Sequence, residues 1–260
     1  MKRIIALVLC LIMALTFVAC GDKIVVAEKE SAGEEVAMKD ESFKDYTYTA
    51  VDTQAKALME VSAGTADAAV VDYVMSIGSI GEGTDYENLV VKGNGFAEEQ
   101  YGIAFRKGSD FTNKVNEVIR ELKANGKLAE IAKNYKLQDI VLGDAASDEF
   151  KQSETDSDYK YIMDKGTLVI GITYFAPMNY KDDKGELVGF ETEFAKAVCA
   201  ELGLKAEFQE INWAAKETEL AAKKIDCIWN GMTITEDRVA NMSISIPYMQ
   251  NKQVKVVKSK

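Results

Sequence analysis

Short apolar runs alternate along this chain with stretches in which apolar residues recur every three or four positions. The runs at 23–27, 68–72, 101–105, 167–172, 205–210, 225–229 and 253–257 are short, apolar or alternating, and bounded by polar turns, which predicts strands. Between 189 and 203, Phe190, Phe194, Ala197, Val198 and Leu202 fall on one helical face, and Gly203 is a natural stop. Val115, Val118, Ile119 and Leu122 repeat the pattern from Thr112 to Asn125-Gly126, and a shorter helix is predicted over 127–135. Strands alternating with helices predict an α/β protein whose sheets are covered by helices.

Two segments break the pattern. Residues 143–158, GDAASDEFKQSETDSD, hold one large apolar residue, Phe150, among acids and hydroxyls. So little apolar surface cannot offset the entropy of ordering the segment, which predicts an acidic flexible linker. At the start, Lys2 and Arg3 precede an apolar run from Ile4 to Ala19, followed by Cys20-Gly21-Asp22. This predicts an export signal over 1–19, since the run is shorter than the roughly 20 residues that span a bilayer. Phe17-Val18-Ala19-Cys20 resembles the lipobox of bacterial lipoproteins, which implies cleavage before Cys20 and lipidation of its sulfur; the alternative is a soluble secreted protein cut nearby. A lipoprotein tether is expected just after such a cysteine, yet here a strand follows at once and the tether-like segment lies in mid-chain.

Loss of 1–19 removes Lys2 and Arg3 and no acid, so 29 cations face 42 acids and the net charge moves from −11 to −13. That charge argues against nucleic acid as a partner and favours a soluble monomer. No histidine occurs, which removes the commonest general base, a common metal ligand and every Ser/His or Cys/His nucleophile. No zinc, phosphate-loop or nucleophile-elbow pattern is present, so neither metal nor cofactor is expected. Cys199 and Cys227 read as buried thiols, with a bridge between them as the alternative.

The stretches GTLVIGITYFAPMNYKDDKGELVGFETEFAKAVC, FQEINWAAKETELAAKKIDCIWNGMTITEDR and IPYMQNKQVKVV resemble the first lobe of the extracellular solute-binding proteins of polar-amino-acid ABC transporters, solute-binding protein family 3. KIVVAEKESAGEE, VDTQAKALMEVSAGTADAAVVD and AEEQ are similar to that family's second lobe, and YGIAFRKGSDFTNKVNEVIRELKANGKLAEIAKNYK to its last strand and closing helices. The resemblance implies a two-lobed, type II periplasmic-binding-protein-like α/β fold in circularly permuted order. Its parts are a signal at 1–19, the second lobe at 20–100, a hinge strand and closing helices at 101–142, the linker at 143–158 and the first lobe at 159–260. It further implies a single remaining connection between lobes, at 99–102, and hence a softened hinge.

The family's site carries over position by position. Arg238 in TITEDR matches the arginine that grips the ligand carboxylate with a planar fork, with Gly231 and Thr233 at the family spacing before it. A lone arginine at a helix start is otherwise a surface residue. Asp72, closing DAAVVD, is implied to pair with the ligand ammonium, although locally it serves equally as a helix cap. Lys29, Ser31 and Gly33 fall where the second lobe meets the carboxylate at a helix N-terminus; without the family they form a serine-capped loop. Phe175 and Trp213 match aromatic positions flanking the ligand side chain, where the alternative is ordinary core. Trp229-Asn230 adjoins the site or packs beneath the sheet.

These features imply a non-enzymatic, lipid-anchored protein on the outer face of the cytoplasmic membrane. It captures an amino acid and delivers it to an ABC transporter permease. Two rival readings remain: a dehydratase-like enzyme on the same fold, for which Glu28, Glu30 and Glu217 are the nearby acids, and a permuted sensor or scaffold without a transport role.

Overall fold

In chain order the elements begin β1 (Lys23–Glu28), α1 (Ala32–Lys39), β2 (Tyr46–Val51), α2 (Gln54–Ala63), β3 (Ala68–Asp72), α3 (Tyr73–Ser79), β4 (Leu89–Lys92), β5 (Glu98–Tyr101) and β6 (Ala104–Arg106). Then follow α4 (Phe111–Ala124), α5 (Lys127–Asn134), α6 (Asp158–Lys165), β7 (Thr167–Ile172), β8 (Tyr180–Lys181), β9 (Leu187–Val188) and α7 (Phe190–Leu202). The last are β10 (Lys205–Glu210), α8 (Lys216–Ala221), β11 (Cys227–Ile228), α9 (Glu236–Asn241), β12 (Met242–Ile244) and β13 (Met249–Lys258). This computed structural model describes residues 22–142, 145–154 and 157–259. The expected signal at 1–19, Cys20 as the expected lipidation site, and Gly143, Asp144, Thr155 and Asp156 of the expected linker lie outside the described residues.

The elements form two α/β lobes. In the N-terminal lobe the strand order is β2-β1-β3-β13-β4, with β5 also paired to β13; in the C-terminal lobe it is β10-β7-β11-β6-β12. β1 runs parallel to β2 and β3, and β10 and β11 run parallel to β7. β3 is buried along its length, as a strand covered on both faces requires. In the C-terminal lobe α4 and α5 pack against α7, whose end is the left-handed Gly203 at φ 68°. Beneath it Trp229 meets Phe194 edge-on at 5.0 Å, both fully buried. That packing decides between the two roles open to Trp229. Cys199 and Cys227 are buried free thiols.

Each lobe contains a strand from the other half of the chain. β6 sits in the C-terminal sheet and β13 in the N-terminal one, so the first lobe does not extend to residue 260: the boundary falls before Met249. The expected strand at 101–105 is correspondingly split, β5 pairing in one lobe and β6 in the other. Two segments therefore cross between lobes, not one, and the expectation of a single connection at 99–102 is corrected. They are joined directly: Ser245 N–H donates to Ile103 O at 2.8 Å, Ile103 N–H to Ser245 Oγ at 2.8 Å, and Tyr248 N–H to Tyr101 O at 3.0 Å. Gly102 is needed for this approach, since a Cβ there would lie 2.6 Å from Ile244 Cγ2.

The acidic segment before α6 has no regular structure in its described part but is docked. Phe150 packs tilted against Tyr159 with ring centroids 4.6 Å apart, and Asp110 accepts from Ser153 N–H at 2.8 Å and from Ser157 Oγ–H at 2.6 Å. Asp158, expected as the last linker residue, instead opens α6 and is buried against Arg106 Nε at 3.0 Å.

Candidate ligand-binding site

Arg238 lies in the first turn of α9, a short helix capped by Thr235, whose hydroxyl accepts from Arg238 N–H at 3.3 Å. Its guanidinium turns inward, and the residue as a whole is only 8 % exposed. Nη1 donates to Thr233 O at 2.8 Å, and Nη2 reaches across the lobes to Glu30 O at 3.2 Å. The loop carrying Gly231 and Thr233 is fixed from below by Glu191, whose Oε1 accepts from Gly231 N–H at 2.8 Å and from the Tyr248 hydroxyl. Complete burial pushes the Glu191 carboxyl up to about 7.

Asp72 ends β3 and is 5 % exposed. It occupies the cap position of α3 but makes no capping bond; Asn251 Oδ1 accepts from Val74 N–H at 3.3 Å in its place. The Asp72 carboxylate is instead held by side-chain amides, from Gln54, from Asn251 at 2.5 Å and from Gln253 at 2.7 Å. Gln253 also donates to Glu99 at 2.7 Å. Burial and then the charge of Asp72 push Glu99 up to about 7.

Arg238 and Asp72, from opposite lobes, line one cavity together with Glu28, Ser31, Gln54, Trp213, Asn230, Gly231 and Thr233. It measures about 10 Å³, on the order of one water molecule. Next to it three donors of the C-terminal lobe converge on the carbonyl of Glu30, a residue held at φ 60°. These are Arg238 Nη2 at 3.2 Å, Trp213 Nε1 at 3.2 Å and Lys216 Nζ at 3.3 Å. Lys216 is buried over the Trp213 ring at 4.8 Å; burial, then the charge of Arg238, lowers its pKa to about 8.

The cavity thus unites Arg238, Asp72, Gly231, Thr233, Trp213 and Ser31 among the expected site residues. Phe175 is not on its wall: it is buried behind Gly231, whose Cβ would lie 2.7 Å from Phe175 Cζ. Gly33 is buried where α1 crosses β3, and a Cβ there would meet Val70 O at 2.9 Å. Lys29 is exposed outside the cavity. The first turn of α1 is served by its own side chains, Ser31 Oγ accepting from Glu34 N–H at 3.1 Å and Glu34 Oε2 from Glu30 N–H at 2.7 Å. That use of its free amides leaves less for a ligand anion than the sequence suggested.

Lys216, Gln54, Asn251, Gln253, Glu99 and Glu191 have no local sequence signal; each gains its role from a partner at least 18 residues away or in another element. Glu28 did have one, since it closes an apolar strand run as Asp72 does.

Residues 168–260 match the bacterial extracellular solute-binding proteins, family 3. The L-cystine-binding protein TcyJ of Escherichia coli strain K12 is 33% identical over 88 residues, 34% of this chain and 33% of that protein. A probable amino-acid ABC transporter-binding protein of Haemophilus influenzae is 37% identical over 94 residues, 36% of this chain and 37% of the relative. A solved polar amino acid ABC uptake transporter substrate binding protein from Streptococcus thermophilus is 33% identical over 35% of this chain and 36% of its own, with a TM-score of 0.32. The chain spans about a third of the length of these relatives. The two curated relatives are named as binding proteins. Arg238, Thr233, Gly231, Trp213 and Phe175 lie inside the family-3 segment; Asp72, Glu28, Ser31, Lys29 and Gly33 lie outside it.

Proposed function

We propose that this protein binds a free amino acid between its lobes and delivers it to an ABC transporter permease, catalysing no reaction on it. The observation that carries this is the placement of a buried guanidinium and a buried carboxylate from opposite lobes on one cavity. A zwitterion brings one charge of each sign, and either left unpaired in a closed cleft costs several kcal/mol. Arg238, with Thr233 and Gly231, takes the carboxylate, and Asp72 the ammonium. Trp213 covers the side chain, Phe175 supports Gly231 from behind, and Ser31 faces them from the second lobe, with Lys29 and Gly33 beside it but off the cavity wall. Because the cavity holds only about one water, the lobes part for the ligand to enter. The three donors now meeting at Glu30 O are then free for a carboxylate.

We further infer that the lobes are circularly permuted, the second lobe preceding the first and the first ending before Met249, and that the protein is an exported monomer anchored by lipid on Cys20. Support for the order comes from the family match at 168–260, following a lobe that resembles the family's second, and from one surface hollow lined by both Lys23 of β1 and Lys258 of β13.

Thermal unfolding against the twenty amino acids tests the function. A ligand at a hundred times its Kd adds about 2.7 kcal/mol to stability. At least one amino acid is expected to raise the Tm by several degrees; no shift with any of them rejects the reading. A lyase on the same fold has one observation in its favour, the buried Glu28 carboxyl on the cavity wall. Consumption of the bound amino acid, lost in Glu28→Gln, would decide for it.

A further inference from the structure

Glu28 closes β1 and is 4 % exposed on the wall of the cavity that Asp72 and Arg238 line. Its Oε1 is buried without a hydrogen-bond partner. Asp72 differs in that amides of Gln54, Asn251 and Gln253 already hold its two oxygens. A buried carboxyl without a partner either keeps a proton or waits for a cation. The charged groups facing Glu28 are Asp72 from β3, Lys216 from α8 and Arg238 from α9. Both cations are turned to carbonyls, Arg238 to Thr233 and Glu30, Lys216 to Glu30 and Trp213. A zwitterion supplies an anion for Arg238 and an ammonium for Asp72, and nothing for Glu28.

We propose that Glu28 is a specificity-determining residue that receives a second positive charge on the ligand side chain, so that the ligand is a cationic amino acid ending in an ammonium or guanidinium. This rests on the amino-acid reading of the cleft and narrows it. Burial, then the charge of Asp72, pushes the Glu28 carboxyl up to about 8, so at pH 7 it holds a proton. A bound cation favours the carboxylate, and the proton leaves on binding.

The test is calorimetric titration of the full chain at pH 7 with lysine, arginine, glutamine and methionine, in two buffers of different ionisation enthalpy, for the wild type and Glu28→Gln. The wild type is expected to bind lysine or arginine at least tenfold tighter than the neutral pair, with proton release on binding. In Glu28→Gln the ratio of cationic to neutral affinity falls at least tenfold and the release disappears. Binding of amino acids without cationic preference in the wild type overturns the proposal and leaves the amino-acid reading standing. So does a preference that survives Glu28→Gln. Failure of the wild type to bind any of the four and, in the thermal assay, any of the twenty overturns both.

Discussion

Glu28, Glu99 and Glu191 are carboxyls that the fold buries against its own preference, with pKa values raised from 4.5 to about 8, 7 and 7. Between pH 5 and 8 the folded chain therefore binds more protons than the unfolded one, and stability falls as pH rises. The loss is at most about 1.4 kcal/mol per pH unit for each group. Lys216, lowered to about 8 from 10.5, works the other way only above pH 8. Urea midpoints at pH 5, 6.5 and 8 should descend in that order, and Glu28→Gln should flatten the descent; a midpoint that rises over this range contradicts the burial argument. At this scale the sequence made Arg238, Gly231, Thr233 and Trp213 legible because they sit together in one family-like stretch. Lys216 was not legible, since its only distinction is three-dimensional: a lysine on α8 that meets a carbonyl from the other lobe.

Gly33 shows how a helix position is set by what lies under it. Helix propensity alone favours alanine there by about 1 kcal/mol. A Cβ, however, would stand 2.9 Å from the backbone oxygen of Val70 and 3.0 Å from Gln253 Oε1. The backbone contact cannot give as a flexible side chain can, so Gly33→Ala is expected to cost about 1–3 kcal/mol net of propensity. It should also weaken ligand binding by displacing Gln253 from Asp72. Chemical denaturation at unchanged m-value measures the first effect, and an unchanged or higher midpoint would show α1 free to shift. The strands at 68–72, 167–172 and 205–210 were readable because their patterns match the period of a covered or alternating strand. β2, with Tyr and Thr alternating at a sheet edge, and the short β4 and β12 carried too few apolar positions to register. Phe150 was seen as an isolated apolar residue in an acidic stretch; its partner Tyr159 lies nine residues on, beyond any local pattern.

For the whole molecule, the α/β class followed from the alternation of strand and helix patterns and the two lobes from the family resemblance, but neither gave the lobe boundary. β13 reads as one more apolar run, and only pairing with β3 and β4 assigns it to the N-terminal sheet. That assignment restores a second inter-lobe crossing beside Gly102, so the basis for expecting a softened hinge is gone. It leaves the two charges of the proposed site mounted on different lobes, where closing brings them to one guest. The measurement that tests this most directly is calorimetric titration with the best-bound amino acid and with two analogues, one lacking the carboxylate and one lacking the amino group. Removing either partner of a buried charge pair costs about 2–5 kcal/mol. Both analogues are therefore expected to bind at least about thirtyfold more weakly than the parent. Should either analogue bind as tightly as the parent, Arg238 and Asp72 do not share a zwitterion, and the account is contradicted.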